Sequence, residues 1–154
     1  MRVLFVCFIC VFTSVAMPAS DVPPQEAAPE KIEAIGRDFQ QRLGIAESVR
    51  VSIVESNKYL ASVERSPAPE RAFHIALDRK FLSTLNDKQL RAVIAHELGH
   101  IWIFTHHPYL QTEALANEKA LLLVSRGTLE SVYEKIWDAE GHQGPLQEFL
   151  AQVE

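Results

Sequence analysis

The chain is short of cysteine, short of positive charge and short of long apolar runs, and each shortage removes a class of function. Its two cysteines, Cys7 and Cys10, both lie in the N-terminal apolar run. The rest of the chain has no thiol, which excludes a disulfide framework, a Cys-ligated metal and a Cys nucleophile. Fifteen Lys and Arg stand against 20 Asp and Glu, for a formal net charge of −5. That balance gives no basic surplus to neutralise phosphates, so nucleic acid is excluded as a partner. No second long apolar run follows the first, which excludes a polytopic membrane protein. With 154 residues, 47% of them apolar, the chain is large enough for one packed core and too small for two.

The apolar run itself spans Val3–Val15, behind the single charge of Arg2, and leads into Ala16. A positive start, an apolar stretch of about 13 residues and a small-residue exit predict a secretory signal peptide over residues 1–16. Ser14-Val15-Ala16 fits the cleavage site, with Ala19 as second choice. A permanent membrane anchor is the alternative, but it needs roughly 18–20 apolar residues. Export points to a secreted or periplasmic protein whose membrane contact, if any, is only through an uncleaved N-terminus. Residues 17–30, rich in proline and without periodicity, form a linker. The folded domain is then residues 31–154.

Within it, Ile32, Ile35, Phe39 and Leu43 recur at helical spacing, with Gly44 as the stop. The period then changes to two. Val49, Val51 and Ile53 form one run, and Tyr59, Ala61 and Val63 another. Ser56-Asn57-Lys58 lies between them, which predicts a hairpin. Phe73, Ile75 and Leu77 add a third strand. From there the pattern is helical. Asn86 caps a long helix with Gln89 in capping-box position, and Leu90, Ile94, Leu98 and Ile101 form its apolar stripe. A second helix is predicted from Gln111 to Arg126 with Gly127 closing it, a third capped by Thr128, and a last one over 145–153. The class is α+β, a small antiparallel sheet packed against helices.

One motif carries chemistry. His96-Glu97-Leu98-Gly99-His100 is H-E-x-x-H, and it falls inside the helix that follows Asn86. Four residues turn a helix through about 400°, so both imidazoles share one face about 6 Å apart along the axis. That suits two corners of a tetrahedral Zn²⁺ site. Glu97 is rotated about 100° from His96, where its carboxylate can take a proton as water attacks a carbonyl. A third ligand is required. His106 and His107 come too early for it, whereas Glu113 can complete a His₂Glu set from the next, antiparallel helix. Asn117, on the same face of that helix, can orient a ligand imidazole. Glu118 is the alternative to Glu113 and lies about 140° round the helix. Tyr109, Tyr133, His106, His107 and His142 are candidate donors to a developing oxyanion.

The stretch from Asn86 to Ile101 (NDKQLRAVIAHELGHI) resembles the active-site helix of HtpX-type and CAAX-prenyl-protease-type zinc metallopeptidases, which are gluzincins. The segment from Ile75 to Leu85 (IALDRKFLSTL) resembles the strand and turn that precede it there. Glu113-Ala114-Leu115-Ala116-Asn117 resembles their E-x-x-A-D, whose Glu is the third zinc ligand; here Asn replaces the Asp. With the leucines that follow, E-x-x-A-N also resembles ImmA/IrrE-type metalloproteins. The resemblance covers residues 72–125, and the small size is most similar to minigluzincins. It implies a zincin-like active-site helix and a peptide or unfolded protein as substrate. It also implies an upper-rim strand, here Ala72–Leu77, that pairs with extended peptide, and a tail helix that could cover the cleft. A zinc-binding protein of the same fold without activity, acting as a regulator, chaperone or inhibitor, is the second expectation.

Overall fold

A computed structural model describes residues 29–67 and 71–139. The expected signal peptide, the expected linker up to residue 28, the expected tail helix and His142 lie outside the described residues. Helix α1 (Pro29–Leu43) opens on a proline, which has no N–H to leave unpaired in a first turn. It buries Ile32, Ile35, Phe39 and Leu43 along one stripe. Gly44 ends it at φ +69°, a left-handed conformation that costs glycine least. The Gln40 side chain then donates to the carbonyls of Ile45 and Glu47 and turns the chain into the first strand.

The sheet contains β1 (Ser48–Val54), β2 (Ala61–Arg65) and β3 (Ala72–Asp78) in the order β1-β3-β2. It is small, as expected, but mixed rather than antiparallel: β3 runs parallel to β1 and antiparallel to β2. The predicted β1–β2 hairpin is therefore corrected to a β2–β3 hairpin. The reason lies in residues 55–60, which cross the end of β3 instead of turning tightly. Asn57 donates from its backbone to Asp78 Oδ2 at 2.9 Å and from its side chain to the Ala76 carbonyl at 2.9 Å. Leu60 takes a positive φ of 64° there. These bonds hold the connection over β3, so β2 emerges on the far side. The strand faces themselves are as the alternation predicts. Val51, Phe73, Ile75 and Leu77 are buried, and the register places Val49, Ile53, Ala61 and Val63 on the same face.

Asp78 ends β3 and caps α2 (Arg79–Ser83), accepting from Phe81 N–H at 2.8 Å. Helix α3 (Asp87–His106) follows, with its capping box intact: Asn86 Oδ1 accepts from Lys88 and Gln89, and Gln89 Oε1 accepts from Asn86 N–H. Leu90, Ile94, Leu98 and Ile101 are all buried against the sheet, α1 and the remaining helices. The second predicted helix is shorter than expected. Helix α4 spans only Glu113–Ala120, a turn follows, and α5 (Arg126–Ala139) begins before Thr128. Gly127 lies inside α5 rather than closing α4. The Ser125 hydroxyl accepts from Thr128 N–H, so the polar residue that meets the new helix stands three positions earlier. No helix among the described residues is long and apolar enough to cross a membrane.

Candidate metal centre and cleft

Helix α3 carries His96, Glu97 and His100 through the middle of the fold, and α4 returns across it after the 107–112 turn. Their contact is backbone on backbone. A Cβ at Gly99 would lie 2.5 Å from the Ala116 carbonyl oxygen, a distance no side chain tolerates. Ala116 and Ala120 are fully buried on the facing side. Small residues at this crossing bring the first turn of α4 within reach of both histidines. Thr112 caps that turn by accepting from Leu115 N–H, and Glu113 occupies its first position, where the helix dipole favours a carboxylate.

His96, His100 and Glu113 converge as the spacing predicts. Their Nε2, Nε2 and carboxylate atoms all lie within 4.8 Å of one another. Nε2 of His96 is 3.1 Å from Nε2 of His100. Glu113 Oε2 is 3.1 Å from His96 Nε2, and Oε1 is 3.4 Å from His100 Nε2. Two donors at zinc bond lengths and a tetrahedral angle lie about 3.3 Å apart, so the spacing fits the ion. Glu118 takes no part; its carboxylate pairs with Lys119 at 2.8 Å on the surface.

The other ring nitrogens fix the tautomers. His96 Nδ1 lies 2.9 Å from Asn117 Oδ1, and His100 Nδ1 lies 3.3 Å from Gln111 Oε1. Carbonyl oxygens only accept, so in the neutral rings both protons sit on Nδ1 and both Nε2 lone pairs face the carboxylate. Such a cluster requires positive charge at its centre. Burial pushes the His100 imidazole down, but Glu113 outweighs it and holds the pKa above its ordinary value. The hydrogen bonds of His100 and His96 hold Glu113 well below the usual carboxylate range. A metal cation would supply the same charge, and the donor set fits one.

Glu97 lies beside the cluster, 7% exposed. Burial pushes its carboxyl above the usual range, against the opposing pull of the two imidazoles. A carboxyl so placed has a carboxylate's usual preference for the charged form weakened, which suits a group that takes up and passes on a proton. The cluster forms the floor of a cleft of about 640 Å³. One wall is β2 with the residues before it, from Tyr59 to Val63; the other is α5, through Leu129, Val132, Tyr133 and Ile136. The expected upper-rim strand, Ala72–Leu77, is β3, which is paired on both sides and has no edge to offer. The strand bordering the cleft is β2.

Of the candidate oxyanion donors among the described residues, only Tyr133 reaches this cleft. Its hydroxyl donates to Asn117 Oδ1 at 2.8 Å, and burial pushes its pKa further up, so the proton stays on. Tyr109 is 98% exposed. His106 and His107 pack against Trp102 instead. Spacing alone did not reveal the roles of Gln111 and β2. Gln111 lies outside any helical register, and β2 borders the cleft only because the 55–60 connection crosses β3.

The family model for peptidase family M48 matches residues 31–150. An uncharacterised protein of Aquifex aeolicus (strain VF5), aq_aa15, is 31% identical over 118 residues, covering 76% of this chain and 96% of its own. Two solved structures share the fold. The metallopeptidase zymogen jannalysin of Methanocaldococcus jannaschii superposes with a TM-score of 0.52 at 19% identity, over 71% of this chain and 96% of that one. The metallopeptidase zymogen abylysin of Pyrococcus abyssi does so with a TM-score of 0.50 at 17% identity, over 74% and 99%.

Proposed function

The chain belongs to peptidase family M48, a family of metallopeptidases, and from that premise we propose that it is an exported zinc-dependent peptidase of the minigluzincin type. The observation that carries the reading is the convergence of His96, His100 and Glu113 on one point beside a buried Glu97, at the floor of an open cleft. His96 and His100 would hold zinc through Nε2, and Glu113 through its carboxylate. Zinc supplies Lewis acidity, which polarises a carbonyl and lowers the pKa of water. Glu97 is the general base and acid: its carboxylate takes the proton of the attacking water and delivers it to the departing amine. Asn117 orients His96 by accepting its Nδ1–H, and Gln111 orients His100 in the same way.

The substrate is a peptide or a segment of unfolded protein. It lies extended along the edge of β2, whose backbone N–H and C=O groups pair with its own, and it rests apolar side chains against Leu129, Val132 and Ile136. Residues 1–16 direct export to the periplasm or the exterior.

The test is to measure bound zinc and casein hydrolysis on the purified protein beside its Glu97→Gln variant. The expected result is about one zinc per chain in both, with hydrolysis reduced on the order of 10²–10⁴-fold in the variant. Zinc without hydrolysis in the unaltered protein would favour a non-catalytic metal-holding protein, the reading that the neutral amide of Asn117 motivates. Absence of zinc from both would overturn the proposal.

A further inference from the structure

Two helices, not one, stand behind His96. Its Nδ1 lies 2.9 Å from Asn117 Oδ1 on α4, and the same oxygen accepts from the Tyr133 hydroxyl on α5 at 2.8 Å. The tyrosine ring also stands edge-on to the His96 ring, with centroids 6.1 Å apart. A carboxylate at position 117 would present two equivalent acceptors, and either would keep the imidazole proton on Nδ1. An amide does not. Turned over, Asn117 would present its NH₂ to His96, Nδ1 would have to accept, and the ring proton would move to Nε2. That tautomer has no Nε2 lone pair to offer the metal on the side where Glu113 and His100 converge. A phenol is a strong hydrogen-bond donor and, with its lone pair delocalised into the ring, a poor acceptor. A phenol hydroxyl facing the amide therefore favours the carbonyl side.

We propose that Tyr133 is a positioning residue of the metal site, holding the Asn117 amide so that its carbonyl faces His96 and Nε2 stays free for the metal. The inference rests on the zinc-peptidase reading above. It also gives the hydroxyl a task other than oxyanion stabilisation, since its proton is already committed to Asn117. The ring of Tyr133 lines the cleft on one side and a second groove between α4 and α5 on the other. Phenylalanine keeps that packing and removes only the donor.

The experiment measures the zinc dissociation constant of the full-length protein by competition with a chromogenic chelator, for Tyr133→Phe alone and in Asn117→Ala and Asn117→Asp backgrounds. Circular dichroism and the thermal midpoint of each zinc-free chain report folding. Tyr133→Phe is expected to weaken zinc binding about tenfold, the scale of one lost outer hydrogen bond. In the Asn117→Ala background it should cost nothing more, because there is no amide left to hold. In the Asn117→Asp background it should also cost nothing, because a carboxylate has no wrong face.

A tenfold loss that persists in both backgrounds would overturn the proposal, since Tyr133 would then act by another route. So would unchanged zinc affinity with a depressed kcat, which is the signature of an oxyanion donor. If Tyr133→Phe alone fails to fold, the Asn117→Asp pair decides in the same way. An unaltered protein that binds no zinc overturns the zinc reading and this role together. Zinc binding that Tyr133→Phe leaves untouched overturns this role alone.

Discussion

Two helical glycines, Gly36 in α1 and Gly99 in α3, mark opposite halves of the molecule. Both are buried and both allow a close approach, but they meet different things. A Cβ on Gly36 would come within 3.0 Å of Val51 Cγ2, the end of a side chain on β1. A Cβ on Gly99 would come within 2.5 Å of the carbonyl oxygen and 3.0 Å of the Cα of Ala116, the backbone of α4. A methyl group can shift by a few tenths of an ångström, whereas a helix backbone moves only as a whole. The α1 side is an apolar contact, with Ile32, Ile35 and Phe39 packed against the sheet, and such contacts tolerate small changes of shape. The α4 side buries only two alanines of its own. The closeness of its approach to α3 is allowed by one steric fit, and that approach brings Glu113 within reach of both histidines. Stability is concentrated on one side of α3 and chemistry on the other.

Gly99→Ala should therefore have the largest effect and a mixed one. Helix propensity favours alanine by about 1 kcal/mol, but the clash forces α4 outward. The net loss of stability is expected at about 1–3 kcal/mol, read from urea unfolding. The displaced Glu113 should weaken zinc binding by at least about 100-fold, more than an outer-shell change does. A folded Gly99→Ala protein with unaltered zinc affinity would show that α4 is not positioned by this contact.

Asp78 offers an intermediate case on the sheet side. Burial pushes its carboxyl up, but the backbone N–H groups of Phe81 and Asn57 outweigh that and hold its pKa below the ordinary carboxylate value. A folded-state pKa below the unfolded one gives stability that is present above the unfolded pKa and lost as pH falls through the folded one. Asp78→Asn keeps one acceptor and loses the other, so about 1–2 kcal/mol should disappear near neutrality. The gap between variant and unaltered protein should narrow as pH drops below the carboxylate range. Metal affinity should not change, since Asp78 stands outside the cluster. A gap that stays constant down to strongly acid pH would remove the carboxylate from this account.

Asp78 also marks where the amino-acid sequence stops being legible. Helices α1 and α3 follow from local features: apolar spacing, Gly44 at the end of one, and the Asn86–Gln89 box at the start of the other. The convergence of His96, His100 and Glu113 was legible for the same reason. His96 and His100 need only a helix, and Glu113 needs only a short turn and an antiparallel return. The inward faces of the strands also followed from alternation. Strand order did not, because it rests on the Asn57–Asp78 and Asn57–Ala76 bonds between residues about 20 positions apart, and no periodicity encodes them. The same connection decides that β2 rather than β3 borders the cleft. Glycine misled once. Gly44 stops α1, yet Gly127 sits inside α5, because Ser125 supplies the acceptor that starts the helix. Asn117 was legible on the face of Glu113, but its second partner, Tyr133, comes from a helix whose packing only the fold determines.

Gly36→Ala is the smallest change and the sharpest control. Alanine gains about 1 kcal/mol of helix propensity, and crowding against Val51 Cγ2 takes back a similar amount. Stability should stay within about 1 kcal/mol of the unaltered protein, and zinc affinity should not move. Removing the opposing methyls tests the cause. In a Val51→Ala background, Gly36→Ala should stabilise by about 1 kcal/mol, and the difference between backgrounds, measured as a double-mutant cycle, is the crowding itself. The same cycle cannot be built at Gly99, since its opponent is main chain that no substitution removes. If Gly36→Ala proved as damaging as Gly99→Ala, the distinction between a yielding side chain and an unyielding backbone would fail. The position of α4 would then need some constraint other than the contact at Ala116.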